Sequence, residues 1–162
     1  MRRVLVIGSP GAGKSTFSRE LARRTGLPLV HLDAEYWRPG WVRPPKETWE
    51  ARVRELIALE TWILDGNYTS TALLRAERAD TVIVLDVSRV LCLYRAVSRA
   101  LLDRRTDRMD VGKEPLNLEF LRFIWSFPAV QRRQLSELKR LPELHLIRLS
   151  SDAQTEAWLS AL

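Results

Sequence analysis

The sequence predicts a three-layer α/β/α fold on a five-stranded parallel sheet, and three observations carry that prediction. Short apolar runs of strand length alternate with stretches of helical periodicity along the chain. The runs Val4–Ile7 and Val82–Leu85 are apolar at every position, as strands buried on both faces are. A glycine-rich segment, Gly8–Ser15, joins the first strand to the first helix. Strands alternating with helices through right-handed crossovers give a parallel sheet covered on both faces.

The elements follow in order. Val4–Ile7 is the first strand, and Lys14 to about Thr25 reads as a helix with Phe17 and Leu21 four apart. Leu29–Leu32 is the second strand. Asp33–Pro45 reads as irregular, ending in two consecutive prolines. Lys46–Leu59 is a helix with Trp49, Val53, Leu56 and Ile57 on one face. Trp62–Leu64 is the third strand, and Thr81–Leu85, rich in β-branched residues, is the fourth. Ser88 to about Leu102 is a helix with Val90, Leu93, Tyr94, Val97 and Leu101 on one stripe. The polar stretch 103–115 reads as a surface loop. Leu116–Leu141 is helical with a bend at Pro128, and its apolar cluster Phe120, Phe123, Ile124, Trp125 and Phe127 reads as core with part open to a dimer surface. Leu144–Leu149 is the fifth strand. Ser151 with Gln154 three residues on forms a capping box that opens a last short helix.

The chain has 162 residues, which favours one domain spanning 1–162. Apolar residues make up 46%, enough for a core and too many for a disordered chain. A membrane span needs about 18 or more apolar residues, and no run approaches that. Met1-Arg2-Arg3 opens like a secretory leader, but the apolar run stops at Gly8, so the protein is expected to be cytoplasmic. Cys92 is the only cysteine, which excludes an internal disulfide and a cysteine-built zinc site. His31 and His145 are too far apart in sequence to suggest a metal centre; His31 reads as buried beside the site and His145 as exposed. The net charge of +6 could point to nucleic acid, but basic and acidic residues are intermixed, which argues against that partner without excluding it.

The decisive motif is Gly8-Ser9-Pro10-Gly11-Ala12-Gly13-Lys14-Ser15, a full match to the phosphate-binding loop pattern between a buried strand and an amphipathic helix. Its glycines let successive N–H groups face one concavity, and the following helix adds its unpaired N–H groups and positive end. Lys14 supplies a mobile charge for the β and γ phosphates, Ser15 a hydroxyl for Mg²⁺, and Thr16 a second hydroxyl. The segment therefore implies a nucleoside triphosphate, ATP or equally GTP. Asp33, Asp65 and Asp86 each end a predicted strand, where ligands of parallel sheets bind. Asp65 and Asp86 compete for the Mg²⁺ role, and each aspartate could instead cap a loop or helix.

Taken with Tyr36-Trp37-Arg38-Pro39-Gly40-Trp41, His31-Leu32-Asp33 and Asp65-Gly66-Asn67-Tyr68, the loop resembles the topology modulation protein family, a branch of the adenylate kinase-like P-loop kinases. The resemblance runs from Arg3 to about Arg148. It implies a P-loop NTPase fold of adenylate kinase type, with an acceptor-binding insert at about 33–60 and a short lid at about 103–116. Asp65-Gly66 is similar to the pair that opens the acceptor loop in adenylate kinases, where the Asp holds Mg²⁺ through water. The aromatic, proline and arginine that follow there are replaced, beginning with Asn67 and Tyr68, so the arginine that grips an acceptor phosphate is missing. Arg95 and Arg99 fall at spacings where adenylate kinases place nucleotide-contacting arginines. Arg104, Arg105 and Arg108 fall where lid arginines sit. Spacing alone reads Arg95 and Arg99 equally well as an exposed helix stripe.

Asp33-Ala34-Glu35 resembles the Asp-x-Asp of shikimate kinases, which phosphorylate a hydroxyl. A hydroxyl acceptor gains from a carboxylate that takes its proton, whereas a phosphate acceptor needs arginines. The expectation is an ATP-dependent, Mg²⁺-assisted kinase. Lys14, Asp33, Arg99, Arg105 and Arg108 are the candidate catalytic residues. Gly8–Thr16 with Arg95 and Arg99 would hold nucleotide, and Ser15 and Asp65 the metal. Asp33, Tyr36, Trp37, Arg38, Trp41, Asp65, Gly66, Asn67 and Tyr68 would hold the acceptor, with Arg38 or Arg43 able to replace the missing arginine. The acceptor is a metabolite or nucleoside hydroxyl before a nucleoside monophosphate. The alternative is a regulatory nucleotide-binding protein acting on DNA topology or a protein partner. Monomer and homodimer both remain open.

Overall fold

The computed structural model describes residues 1–102 and 116–162. The sheet is five-stranded and wholly parallel, in the order β2-β3-β1-β4-β5. The strands are β1 (Arg3–Gly8), β2 (Leu29–His31), β3 (Trp62–Asp65), β4 (Thr81–Leu85) and β5 (His145–Leu149). The helices are α1 (Lys14–Thr25), α2 (Leu32–Tyr36), α3 (Lys46–Ala58), α4 (Ala72–Ala76), α5 (Arg89–Leu102), α6 (Leu118–Leu138) and α7 (Asp152–Ser160). This is the three-layer fold expected. The lid stretch lies outside the described residues except for its last position, as do Arg104, Arg105 and Arg108.

The central strands read as unbroken apolar runs because they feed two cores at once. Val4 and Val6 of β1 pack with Phe17, Leu21 and Cys92 on one side of the sheet. Leu5 and Ile7 pack with Trp49, Val53 and Leu56 on the other. Each such side chain contributes about 1.5–3 kcal/mol relative to exposure.

Four local features depart from the sequence reading. Leu32 leaves the second strand and starts α2, so Asp33 sits in a helical turn and the irregular stretch begins only at Trp37. A 3-10 turn at Thr69–Thr71 and α4 occupy a stretch with no sequence assignment. On α5 the stripe faces outward at Val90, Tyr94 and Leu101, while Cys92 and Ala96 make the buried contact. In α6 the helix runs through Pro128, with Ile124, Phe127, Gln131, Gln134 and Leu138 buried at alternating three- and four-residue spacing; Phe123 and Trp125 are exposed. Ser151 caps α7 as expected, accepting from the Gln154 N–H at 3.2 Å. The Gln154 side chain accepts in turn from the Ser150 N–H at 2.9 Å, one residue before the cap. Among the described residues no helix is long and apolar enough to cross a membrane.

Candidate active site

Parallel register brings three strand ends side by side. Val6 of β1 lies opposite Asp65 of β3, and Asp65 lies opposite His31 of β2. On the other side of β1, Gly8 lies opposite Leu85. The phosphate loop, Asp65 and α2 therefore meet at the carboxyl edge of the sheet, beside its central strand.

The loop is shaped for close backbone approach. A Cβ on Gly8 would lie 2.5 Å from the Leu85 carbonyl oxygen, and one on Gly11, at φ 81°, would lie 2.2 Å from that of Cys92. Only glycine fits either position. The buried Cys92 thus forms part of the floor under the loop, and its burial raises the thiol pKa. Lys14 Nζ donates to the Ser9 carbonyl at 3.1 Å, arched back across the loop. Pro10, Gly11, Gly13, Lys14, Ser15 and Thr16 open into a cleft of about 930 Å³.

Asp33, Tyr36, Trp37, Trp41, Asp65, Gly66, Asn67 and Tyr68 line that same cleft, together with Arg95 and Arg99. The predicted acceptor, nucleotide and metal residues are thus gathered at one site. Gly8, Ser9 and Ala12 of the loop do not line it, and among the acceptor residues Arg38 is the exception. It pairs through its backbone with Val42 and borders a separate groove beside Arg52 and Glu55. The turn through Gly40 and Trp41 reverses the chain, and Arg43 enters the cleft instead, its guanidinium 5.7 Å from the Trp37 ring centre. Arg95 flanks the loop, with a guanidinium nitrogen 3.9 Å from where a Gly13 Cβ would be, and it pairs with Asp152.

The two competing aspartates separate clearly. Asp86 is held by Arg148 at 2.6 Å and by Gln131 at 3.0 Å, and it does not border the cleft. Asp65 is 4% exposed; its Oδ2 is 2.8 Å from His31 Nδ1, and its Oδ1 is buried without a hydrogen-bond partner. A buried carboxylate oxygen lacking a donor is costly unless a ligand completes it. Asp65, with its unpartnered Oδ1, and Ser15 line the same cleft, an oxygen donor set that fits a hydrated Mg²⁺, a hard cation that takes oxygen ligands and keeps several waters.

Two residues act on this site through contacts the sequence did not disclose. Asn67 exchanges two hydrogen bonds with Gly8: the Gly8 N–H donates to Oδ1 at 3.0 Å, and Nδ2 donates to the Gly8 carbonyl at 2.6 Å. Its carboxamide positions the phosphate loop, while the residue borders the cleft as expected. Arg75 of α4 is wholly buried and donates to the carbonyls of Gly66 at 3.0 Å, Tyr68 at 3.0 Å, Thr71 at 3.3 Å, and Asn67. Burial lowers its pKa to about 10. One guanidinium therefore fixes the loop that carries Asn67 and Tyr68. Tyr68, itself at φ 34°, donates its phenol to Asp33 Oδ1 at 2.6 Å. Burial, then the Asp33 charge and hydrogen bond, push the phenol pKa well above its ordinary value. The only signal for Arg75 in the sequence is its sharing a helical face with Ala72 and Ala76.

No protein-family model matches the chain. A shikimate kinase of Thermobifida fusca is 41% identical over 61 residues, 33% of this chain and 36% of that protein. The chain thus spans about a third of that curated relative. The shikimate kinase of Acinetobacter baumannii, solved in complex with shikimate, superposes with a TM-score of 0.67 at 17% identity, covering 99% of this chain and 90% of that one. The shikimate kinase of Bacteroides thetaiotaomicron gives 0.56 at 18% identity, with 99% and 95% covered. The fold is that of the shikimate kinase and adenylate kinase-like P-loop proteins, and over 61 residues the sequence is similar to a shikimate kinase.

Proposed function

We propose that the chain is an ATP-dependent kinase that phosphorylates a hydroxyl group of a small-molecule acceptor. One observation carries this reading: the phosphate loop and the Asp33 carboxylate face one cleft and are tied together by Asn67 and Tyr68. The loop reads phosphates rather than the base, so GTP is possible in place of ATP. Kinship with the shikimate kinases supports phosphoryl transfer. The narrower kinship with topology modulation proteins, resting on Tyr36–Trp41 and Asp65–Tyr68, belongs to the same proposal.

Phosphoryl transfer asks for positioning and charge neutralisation more than covalent chemistry. The loop N–H groups and Lys14 would hold the β and γ phosphates, and Arg95 and Arg99 would flank them from α5. Ser15 and Asp65 would hold Mg²⁺, which neutralises charge on the phosphate oxygens. Asp33 would take the proton of the acceptor hydroxyl as its oxygen bonds to the γ phosphorus and the bond to the β–γ bridging oxygen breaks. Tyr68 donates its phenol to one oxygen of Asp33 and so orients the carboxylate. The predicted lid arginines Arg105 and Arg108 would complete the charge cage.

The test is transfer of labelled γ-phosphate from ATP·Mg²⁺ to nucleosides, nucleoside monophosphates and hydroxylated metabolites. Transfer to a hydroxyl compound, lost in Lys14→Ala and in Asp33→Asn, is expected. Transfer to a monophosphate that survives Asp33→Asn would overturn the acceptor assignment. Nucleotide binding with no acceptor labelled would favour the regulatory reading.

A further inference from the structure

The kinase reading leaves the acceptor's chemistry open, and the two walls of the cleft away from the phosphate loop narrow it. One wall is the segment after β2. Tyr36 and Trp37 pack edge to face at 5.0 Å, and Trp37 and Trp41 at 5.3 Å. Trp41 is held at φ 61°, a strained conformation that bulky residues rarely adopt. The other wall is the first half of α6, where Phe120, Phe123 and Phe127 border the same cleft. Phe123 and Phe127 pack edge to face at 5.6 Å, and Phe123 stays 42% exposed. Nothing in the phosphate chemistry uses these rings.

Charge along these walls is sparse. Lys14, Arg95 and Arg99 belong to the phosphate side. Among the described residues that leaves Arg43 as the one cation, already stacked on Trp37, against the carboxylates of Asp33 and Glu119. Among the described residues of these two walls, a small carboxylated polyol would meet one cation against two carboxylates. A planar, uncharged ring would meet aromatic side chains along both walls, in the same cleft as the Asp33 carboxylate.

We propose that the acceptor is an uncharged compound with a planar ring and a free hydroxyl, of the nucleoside class, held between the Trp37–Trp41 wall and the Phe120–Phe127 wall. This assignment rests on the kinase reading. It deepens that reading by adding α6, which the phosphate chemistry does not require.

The test uses the full chain with Mg²⁺ and a non-hydrolysable ATP analogue filling the nucleotide site. Adenosine and thymidine are titrated by calorimetry and by ligand-observed NMR, with shikimate as the carboxylated polyol. The nucleosides are expected to bind with the strongest saturation on their base protons. Binding should weaken about tenfold or more in Trp41→Ala and in Phe123→Ser, since stacking a base on an aromatic side chain is worth about that factor. The affinity for the ATP analogue should not change in either variant, which also shows that both fold. Tighter binding of shikimate than of either nucleoside, or nucleoside binding that both variants preserve, would overturn the assignment. The two readings fail separately. Ring-dependent nucleoside binding without phosphoryl transfer sinks the kinase and leaves the cleft assignment standing. Transfer to a carboxylated polyol does the reverse.

Discussion

The side-chain amide of Asn67 and the peptide group of Gly8 hold each other at both ends, at 3.0 Å and 2.6 Å. The first residue of the phosphate loop is thus fixed by the loop that follows β3, 59 residues away. Replacing Asn67 by Ala strips both partners from a half-buried peptide, at a cost of about 1–3 kcal/mol. The affinity for ATP should fall about tenfold, with the far-ultraviolet circular dichroism unchanged. Calorimetry checks this, and an unchanged affinity would show that Gly8 keeps its place unaided.

Gly11→Ala should be far more damaging than its size suggests. The new methyl would meet the Cys92 carbonyl at 2.2 Å, with backbone at φ 81°. Either the loop or the first turns of α5 must move. Loss of nucleotide binding and a melting temperature several degrees lower are expected, from about 1–3 kcal/mol of strain. Thermal melts with and without ATP·Mg²⁺ read both effects.

Lys14→Ala should fold normally, because its ammonium makes only one hydrogen bond, to the Ser9 carbonyl. Transfer should fall by about 10³-fold or more, as expected when a charge that meets the transferring phosphoryl group is removed. Steady-state assay of the labelled product decides it. A modest loss would move the catalytic charge elsewhere in the cleft.

The Tyr68 phenol is held neutral by burial and by Asp33, so its folded pKa lies above the unfolded value of about 10. Above that pH the unfolded chain releases the phenolic proton while the folded chain keeps it. The unfolded state then binds fewer protons, and stability falls as pH rises. Tyr68→Phe lacks this release. Its stability relative to the wild type should therefore improve between pH 9 and about pH 11, measured by urea unfolding. A difference that stays flat with pH would mean that the phenol reaches solvent.

Arg75→Met should remove a donor from four backbone carbonyls, of which that of Tyr68 keeps the Thr71 N–H at 3.0 Å. The expected loss of stability is about 1–3 kcal/mol for each buried carbonyl left unsatisfied. Arg75→Lys keeps the charge but spans fewer carbonyls and should be intermediate. If the loop is what Arg75 holds, Arg75→Lys should raise KM for the acceptor more than KM for ATP.

The fold was legible because the central strands feed two cores and so are apolar throughout, and because the phosphate loop has a fixed spacing between a strand and a helix. Asp33, Asp65, Trp37 and Trp41 reached the predicted side of the sheet for the same reason. What failed was information carried by backbone direction and register. Arg38 and Arg43 look equivalent in sequence, and the left-handed Trp41 decides between them. Asn67 reads as a ligand contact until β1 and β3 are set side by side. Asp86 ends a strand like Asp65, but Gln131 and Arg148 reach it from distant elements. Arg75, amid Leu74, Glu77 and Arg78, looks like a solvated surface residue.

A guanidinium seated beneath the Gly66–Tyr68 loop also limits how such a chain can diversify. Residues exchanged within that loop alone would inherit a mismatched anchor. The segment that can be recombined as a piece runs from Asp65 through Ala76, with its own arginine included. Chimeras cut at those two boundaries should remain soluble where grafts of the loop alone precipitate.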